Sequence, residues 1–448
     1  MLMTLEELLD DMDYSYSKDD ICYSGFRIKI FPNDLQKKEI FAIFDASDWC
    51  YNKTIELYDK DNPISWYSMI PLVKAELKQN DQHKHLTDNI MRYAIKRFYD
   101  GINYMYKCGH GYPSKKDYPY QTHRSFQFRT DRMRIGDDFV KVEHVTGDIK
   151  TGYNHIPLKT DTISSKQDHL TYYRAMVSYD GIDFWFSVNI EYPHEITTIF
   201  KKTPEKTDPI GIDVGIKISA MCSNGWKFHT PMDEKRVKRV SRIDAKLSKN
   251  HKNPAMALSE ETGIPYDQIP KSKNTIKLEK RRLKDLRKTA NKKNSEIHEF
   301  TAHLVKENPM AIVMENFSVM EMYRDLSSTE LCRILQAQCL YKIKQYTLYK
   351  CRRSGIPFVT ADRNYPSTKR CSKCGNMDQN LMVLDSSRDR QFHCRKCGLV
   401  IDRDLNASIN LRDIVLDPNL YDYIYKIEYG GHTFIRKSHK EEIKEEIE

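Results

Sequence analysis

The sequence predicts an α+β protein of more than one domain, and three observations support this prediction. Short apolar strands alternate with helix-forming segments in the C-terminal half, beginning at residues 209–219. Two Cys-x2-Cys pairs interrupt that alternation and predict a small metal-binding subdomain. In the N-terminal half, helical periodicity gives way to short strands near residue 109. With 448 residues and 40% hydrophobic content, the chain is long enough for two or three domains.

The composition argues against a membrane protein and against a disulfide-stabilised secreted domain. No apolar run approaches the roughly 18 to 20 residues of a membrane span, and the first residues lack the basic segment of a secretory signal. We therefore expect no membrane partner and a cytoplasmic location. The eleven cysteines, an odd number, predict free thiols and metal ligands rather than a disulfide framework.

The N-terminal half predicts a small β-barrel that a helical block interrupts. Residues 1–20 are acidic and predict a poorly ordered extension. Strand patterns over 21–33 and 109–200 flank helical periodicity over 34–108. Within the second strand segment, residues 112–128 mix aromatic and basic side chains. Such a mixture suits either nucleic-acid binding or an ordinary aromatic core with solvated lysines, and the sequence leaves both interpretations open.

Asp213 lies in an apolar strand at a position where valine or isoleucine is expected. Desolvating a carboxylate is unfavourable, and metal binding is the usual compensation. Gly211 and Gly215 flank this residue and allow a phosphate or a second backbone to come close. A hairpin turn at residues 223–225 then places Asp213 on the first strand of an antiparallel meander. Taken alone, the pattern is explained better by a capping or salt-bridged aspartate.

Further acids end the later strands and begin a helix. Glu315 ends a second apolar strand, Asp362 follows a third, and Asp402 and Asp404 open a helix. Because these residues are scattered over nearly two hundred positions, only the fold can bring them together. A cluster of this kind suits two Mg²⁺ ions in phosphodiester hydrolysis, where one ion activates water and the other stabilises the leaving oxygen.

The cysteine pairs predict a structural zinc site. Nineteen residues separate the pair Cys371 and Cys374 from the pair Cys394 and Cys397. Each pair can fold into a knuckle that directs two thiolates to one tetrahedral ion. A glycine follows each pair, where the turn requires a positive φ. Four thiolates fill the coordination of zinc and leave no open position for catalysis.

A basic segment predicts nucleic-acid binding. Residues 271–293 contain eleven Lys and Arg against two acids, an excess equal to the net charge of +9 for the whole chain. Apolar residues recur every seven positions from Ile276 to Leu304 and predict the second arm of a long helical hairpin. A solvated charged face is the alternative interpretation. The predicted nucleic-acid contacts are Lys280, Arg281, Arg282, Lys284, Arg287 and Lys288 on the outer face of this helix, and Arg370, Arg388 and Arg390 near the cysteines.

In order along the chain, these motifs resemble a known family. The stretches around Asp213 and Glu315, the two cysteine pairs and the run from Asp402 to Ala407 resemble the split RuvC nuclease with an inserted zinc ribbon of the TnpB family. These transposon-encoded proteins are ancestral to type V CRISPR effectors. The match covers roughly residues 208–412, whereas the N-terminal half resembles the family only in outline.

The resemblance implies a domain plan and a set of catalytic residues. It implies an RNase H-like (RuvC) nuclease domain at 208–365 and 398–415, a zinc ribbon at 366–397 and a C-terminal tail at 416–448. In the N-terminal half it implies a wedge-like barrel interrupted by a helical recognition domain. Asp213, Glu315 and Asp404 are the implied catalytic acids, with two Mg²⁺ ions and one structural zinc, whereas Asp362 has no implied role.

The implied function is that of an RNA-guided DNA endonuclease. Its partners would be a guide RNA, double-stranded DNA and the displaced single strand, and the protein would be a monomer or a homodimer. The guide RNA rests on the resemblance alone, since the residues themselves predict a polyanion-binding nuclease. The alternatives are a nuclease-silent, RNA-guided repressor and a transposase or transposase accessory protein. Loss of an acid would favour the repressor, and all three acids are present.

Overall fold

The protein divides into two compact units, each built from separate stretches of the chain. The computed structural model describes residues 13–15, 21–83, 86–108, 111–116, 123–129, 132–152, 171–193, 205–264, 269–324, 326, 328–377, 391–429 and 432–435. Unit 1 comprises Met1–Cys22, Pro193–Glu234 and Lys288–Glu448. Unit 2 comprises Tyr23–Tyr192 and Lys235–Arg287. The basic segment that we assigned to the nuclease domain is therefore shared between the two units.

The strands fall into two large sheets and a short hairpin. In chain order they are β1 (Asp13–Ser15), β2 (Ile21–Phe31), β3 (Arg124–Phe128), β4 (Arg134–Ile135), β5 (Phe139–Lys141), β6 (Ile149–Thr151), β7 (Thr171–Tyr179), β8 (Phe184–Pro193), β9 (Ile210–Asp213), β10 (Ala220–Cys222), β11 (Lys227–Phe228), β12 (Ile312–Glu315), β13 (Phe358–Ala361), β14 (Gln391–His393), β15 (Val400–Asp402), β16 (Ile424–Tyr429) and β17 (His432–Ile435).

The helices are numbered in the same way. They are α1 (Asp34–Leu57), α2 (Trp66–Gln79), α3 (Asp88–Cys108), α4 (Glu234–Leu247), α5 (Asn253–Thr262), α6 (Lys273–Lys306), α7 (Val319–Arg324), α8 (Thr329–Gln338), α9 (Leu340–Ser354) and α10 (Arg403–Asp413), with a π-helical turn at Ser248–Lys252 and a 3-10 helix at Pro418–Tyr423. In the part of the chain that the structure describes, each helix is too short or too polar to cross a bilayer.

Unit 2 contains a seven-stranded sheet in the order β3-β7-β8-β2-β6-β5-β4. Helix α1 packs on this sheet, and Phe44 makes an edge-on contact with Phe126 in a shared core. Asn33 caps α1 through a reciprocal capping box with Gln36, which satisfies two backbone donors at the start of the helix. The strands and the three helices predicted for this half are present, whereas closure of the sheet into a barrel stays a prediction.

The aromatic and basic stretch in unit 2 belongs largely to this core. Phe126 is buried, and the guanidinium of buried Arg124 donates to Asp48 (2.9 Å) on α1. Lys116 lies 3.3 Å from the same carboxylate, and burial lowers its pKa to about 8. Phe126 therefore fits the core interpretation, whereas Lys116 and Arg124 pair with Asp48 instead of being solvated. Tyr118 and Tyr120, which we considered for base stacking, lie outside the described residues.

The helical hairpin is less regular than the heptad pattern predicts. Ile297 and Leu304, in the C-terminal half of α6, are fully buried. In the N-terminal half, Ile276 and Leu286 are exposed, whereas Thr275 and Asp285 are buried. The Asp285 carboxylate lies 3.4 Å from the Arg239 guanidinium on α4. This part of the hairpin therefore includes a buried ion pair, which a hydrophobic repeat does not reveal.

Unit 1 contains an eight-stranded sheet in the order β1-β17-β16-β13-β12-β9-β10-β11. Strand β12 runs parallel to both β9 and β13, and the other pairs are antiparallel. One face of the sheet packs on the C-terminal half of α6 and on α8 and α9. The other face packs on α10 and the 3-10 helix. The sheet is thus covered on both faces, as a parallel centre requires.

Two predicted features of unit 1 differ in the structure. The helix expected over residues 331–354 is two helices, because Cys339 adopts a left-handed conformation (φ 56°) between α8 and α9. The segment assigned to a C-terminal tail instead supplies β16 and β17 to the sheet. Ile424 and Ile427 of β16 are buried, but the polar and aromatic residues between them obscure the alternation in the sequence.

Candidate active site and metal centre

Two of the predicted catalytic acids lie side by side at one edge of the unit 1 sheet. Asp213 and Glu315 are the last residues of β9 and β12. These strands are parallel, and Ile212 pairs with Met314 in the register immediately before the two acids. Neighbouring strands lie about 4.8 Å apart, and in-register residues of parallel strands point to the same face. The two carboxylates therefore share one edge and one face of the sheet.

Helix α10 brings the third acid to this edge. A Cβ atom on Gly211 would lie 2.0 Å from the Ser408 carbonyl oxygen and 2.4 Å from the Arg412 nitrogen, so the helix backbone rests directly on the glycine. From Ser408 back to Asp404 the helix rises about 6 Å. From Gly211 forward to Asp213 the strand advances about 6.6 Å. The matching lengths place Asp404 beside Asp213, and the close approach is one that only glycine permits.

The electrostatics agree with this convergence. Burial, followed by the carboxylates of Glu315 and Asp404, raises the pKa of Asp213 well above its usual range. Burial also raises the pKa of Glu315 to about 7, and nearby Lys344 acts in the opposite direction. The Lys344 ammonium lies 5.1 Å from the Phe317 ring centre. Crowded carboxylates that resist ionisation form a site that a divalent cation would stabilise.

The two acids at the start of α10 have different surroundings. Asp402 is the N-cap residue, and its Oδ1 accepts from the backbone nitrogens of Asp404 (3.0 Å) and Leu405 (3.1 Å). Its other oxygen lies 3.5 Å from the Lys227 ammonium. The expectation that one of these acids caps the helix is therefore confirmed for Asp402. Arg403 lies between the two acids, with Nε 3.7 Å from Asp404 Oδ1.

The four predicted cysteines form a compact cluster. Their sulfur atoms all lie within 4.8 Å of one another, and among the described residues they are the group of possible metal ligands that meets this limit. The Cys371–Cys397 and Cys374–Cys394 sulfur distances are both 3.6 Å. Ligands about 2.3 Å from a tetrahedral zinc would be about 3.8 Å apart. Gly375 and Gly398 have φ values of 69° and 72°, as predicted. The cluster therefore suits one tetrahedral metal ion.

Backbone donors prepare one of these thiols for metal binding. The N–H groups of Cys397 and Lys396 lower the pKa of Cys394 to about 6. A thiolate is the form of cysteine that binds metal, so the knuckle favours the ligand state before an ion arrives.

Comparison with known proteins gives consistent matches. A family model described as Cas12f1-like, TNB domain, matches residues 341–411, which include all four cysteines and Asp404. A curated relative from Streptomyces pristinaespiralis, named as an RNA-guided DNA endonuclease, is 28% identical over 400 residues, or 86% of this chain and 88% of the relative. Both matches agree with the resemblance to the TnpB family.

Two further matches are more distant. A relative from Mycobacterium tuberculosis, also named as an RNA-guided DNA endonuclease, is 25% identical over 214 residues, which cover 45% of this chain and 40% of the relative. A cryo-EM structure of a Cas12f1–sgRNA–target DNA complex aligns with a TM-score of 0.40 and 10% identity. That alignment covers 90% of this chain and all of the other.

The predicted nucleic-acid contacts divide into exposed residues and residues that pair with other parts of the chain. Lys280, Arg281, Lys284 and Lys288 are exposed on α6. Arg282 pairs with Asp244 on α4, and Arg287 donates to Asp180 (3.1 Å) and Asp183 in the β7–β8 hairpin. Arg370 donates to Asn410 (3.1 Å) at the cysteine cluster. These three arginines therefore connect elements within the chain. Arg388 and Arg390 lie outside the described residues.

A groove along the helical hairpin is lined by three of these exposed cations and by further lysines. It has a volume of about 1030 Å³, and the residues that line it include no acid. Lys246 comes from α4 and Lys249 from the π-helical turn that follows it. The cations from α6 are Lys273, Lys277, Lys280, Arg281 and Lys284. Spacing by three or four positions puts the α6 cations on one face of the helix. Lys246, Lys249, Lys273 and Lys277 were absent from our prediction, although the same spacing along α6 could have identified Lys273 and Lys277.

A second concavity adjoins the acid cluster. This cleft has a volume of about 290 Å³, and Glu315, Asp362 and Arg363 are among the residues that line it. Asp362 Oδ1 accepts from the Asn364 nitrogen (2.7 Å), which stabilises the turn after β13. Arg363 pairs with Glu321 at 3.0 Å on the exposed rim. The cleft therefore continues from the acids along the ends of the parallel strands.

Proposed function

We propose that this protein is a Mg²⁺-dependent, RNA-guided DNA endonuclease with an RNase H-like (RuvC) nuclease domain. The observation that carries the proposal is the convergence of Asp213, Glu315 and Asp404 at one edge of the sheet. Acids on two central strands meet an acid from a helix, which is the arrangement that the resemblance implies. The names of the two curated relatives support the RNA-guided part of the proposal.

The three acids would hold two Mg²⁺ ions. When bound, these ions would activate a water molecule and stabilise the leaving oxygen of a phosphodiester. The residues of the chain prepare that chemistry. Gly211 lets α10 approach the sheet, and Asp402 caps the helix so that Asp404 can face Asp213. Arg403 adds a positive charge that partly offsets the repulsion among the carboxylates.

The cysteine cluster would hold one structural zinc ion. Four thiolates complete a tetrahedral site, so this ion would stabilise the ribbon rather than take part in hydrolysis. The preference of the Cys394 thiol for its ionised form supports this assignment. Removing a structural zinc of this type lowers the free energy of unfolding, because metal binding contributes to the stability of the fold.

Guide RNA and DNA would bind through their phosphates. The seven cations that line the unit 2 groove are suited to a polyanion because the two acids in the same stretch of α6 are paired with other residues. Asp285 interacts with Arg239, and Glu279 with Lys271. In an RNA-guided nuclease, base pairing supplies sequence specificity, while the protein recognises duplex shape and a short flanking motif.

Purification with RNA tests the proposal. The protein is expressed together with the non-coding DNA that neighbours its gene, and we expect it to carry a defined RNA. The complex should cut duplex DNA only when Mg²⁺, a matching target and a flanking motif are all present. Ribonuclease treatment is the control. Binding without cutting would identify a repressor, and cleavage with unchanged target choice after removal of RNA would identify a transposase-like activity.

A further inference from the structure

Helix α10 has two functional faces. One face rests on Gly211 of β9 and carries Asp404 to the acid cluster. At 100° per residue, Asn406 lies about 200° from Asp404 around the helix axis, and Asn410 lies about 240° from it. Both asparagines are fully buried. They therefore belong to the side of the helix that faces away from the acids.

Both asparagines bind the first cysteine knuckle. Asn406 donates from Nδ2 to the Arg370 carbonyl (2.8 Å), and its Oδ1 accepts from the Ser372 nitrogen (3.0 Å). Asn410 donates from Nδ2 to the same Arg370 carbonyl (2.6 Å) and to the Ser367 carbonyl (2.6 Å). Its Oδ1 accepts from the Arg370 guanidinium (3.1 Å). Each side-chain amide thus has both a donor and an acceptor partner.

The contacted backbone is the loop that carries the metal ligands. Arg370 immediately precedes Cys371, and Ser372 lies between Cys371 and Cys374. Within the loop, the Gly375 nitrogen donates to the Cys371 carbonyl (2.9 Å) and the Cys371 nitrogen donates to the Asn376 carbonyl (2.9 Å). A tetrahedral ion bound by four thiolates would hold this loop in one conformation. Each asparagine therefore contacts Arg370, the residue next to the metal ligand Cys371.

We propose that Asn406 and Asn410 are positioning residues that make the geometry of the acid cluster depend on metal occupancy of the four-cysteine site. The bound ion holds the knuckle, the knuckle holds the buried face of α10, and the opposite face holds Asp404 beside Asp213. The ribbon thus supports the catalytic helix as well as any contact that it makes with nucleic acid. This inference rests on the proposed function in one respect, the role of Asp404 as a ligand of the catalytic metal.

The test measures Mn²⁺ binding, which does not depend on turnover. The full-length protein is compared with Asn406→Ala, Asn410→Ala and Asn406→Asp, the last of which keeps the oxygen that accepts from Ser372. Asn419→Ala serves as the matched control, since Asn419 is an exposed residue of unit 1. Mn²⁺ affinity is followed by electron paramagnetic resonance, zinc content by elemental analysis, and the unfolding temperature by calorimetry.

We expect Asn406→Ala and Asn410→Ala to keep about one zinc per chain, because all four thiolates remain. Their Mn²⁺ affinity and kcat should fall roughly 10- to 100-fold, as is usual when the support of a metal ligand is removed, with little change in target affinity. Asn406→Asp should fall between Asn406→Ala and the unmodified protein. Removing zinc with a thiol-selective chelator, followed by desalting, should weaken Mn²⁺ binding to the same extent, and added zinc should restore it.

Asp404→Ala separates the two levels of the proposal. If Asp404→Ala leaves Mn²⁺ binding unchanged, the acid cluster is not the metal site and the proposed function fails. If Asp404→Ala abolishes binding while zinc removal leaves it intact, the coupling is refuted and the proposed function stands. A variant that unfolds is recognised by its lower unfolding temperature, and the zinc-removal experiment on the unmodified protein then decides the question.

Discussion

Replacing Glu315 with glutamine should abolish DNA cleavage and also stabilise the protein in Mg²⁺-free solution. The substitution removes one ligand charge from the acid cluster and leaves the shape of the side chain nearly unchanged. It does not alter the basic groove, so nucleic-acid affinity should stay the same. A carboxylate whose ionised form is disfavoured by burial destabilises the fold when no cation is bound, and replacing it with a neutral amide should remove that cost.

The magnitude follows from the pKa of Glu315, which burial raises from 4.5 to about 7. Between these pH values the folded protein retains a proton that the unfolded chain has released. The free energy of unfolding therefore falls as the pH rises from about 4.5 to about 7, and then levels off. At 1.36 kcal/mol per pKa unit the upper limit is about 3 kcal/mol. Because Glu315 is only half-buried, we expect about 1 to 2 kcal/mol.

Calorimetry in Mg²⁺-free buffer without chelator, which leaves the cysteine site intact, measures this effect. Relative to the unmodified protein, Glu315→Gln should raise the unfolding temperature by roughly 2 to 8 °C at pH 8 and by close to zero at pH 4.5. Added Mg²⁺ should stabilise the unmodified protein more than the variant. Glu299→Gln, the same change at an exposed position of α6, should do neither. Full cleavage by Glu315→Gln, or a stability gain that is equal at both pH values, would refute the reasoning.

Four further predictions concern the acid cluster, the groove and helix α6. Asp404→Ala should eliminate cleavage, whereas Asp402→Ala should only weaken it. Asp402→Ala should also lower the free energy of unfolding by about 1 kcal/mol, because the helix loses its cap. The reverse order in a cleavage assay would show that Asp402 is the metal ligand. Gly211→Ala should lower both the unfolding temperature and kcat, because the added methyl group would displace α10. Gly225→Ala is the control: its positive φ (86°) means that the substitution should lower stability without changing the cleavage rate of the folded fraction. Lys284→Ala should weaken RNA binding and reduce the slope of its salt dependence by about one, as measured by fluorescence anisotropy. Arg287→Ala should mainly lower stability, and a loss of RNA affinity without a loss of stability would contradict its anchoring role.

The elements that bear the chemistry could be predicted because their signals are local. An acid in an apolar strand, cysteine pairs with a fixed spacing and a turn followed by glycine each need only a few neighbouring residues. The strands that end in Asp213 and Glu315, the hairpin after β9 and the start of α10 were predicted in this way and are present. Apolar alternation and capping residues indicate such elements without information from the rest of the chain.

The features that escaped prediction depend on distant partners. Asp285 is buried and pairs with Arg239 on another helix, and nothing near Asp285 in the sequence indicates this. Arg287 resembles a free cation until its acceptors in the β7–β8 hairpin are known. Buried asparagines at positions 406 and 410 are recognisable only once the knuckle is placed against α10. Polar contacts across a fold carry no periodicity, so a single sequence does not reveal them.

The interleaved order of the unit 1 segments has a consequence for synthesis on the ribosome. Asp213 and Glu315 emerge well before α10, and β16, which pairs with β13 in the sheet, emerges after α10. A nascent chain therefore lacks the helix that completes the acid cluster until residues 403–413 have been synthesised. A chain that stops before residue 403 would carry the basic groove and only two of the three acids. The order of these segments thus sets when a growing chain can first assemble the acid cluster.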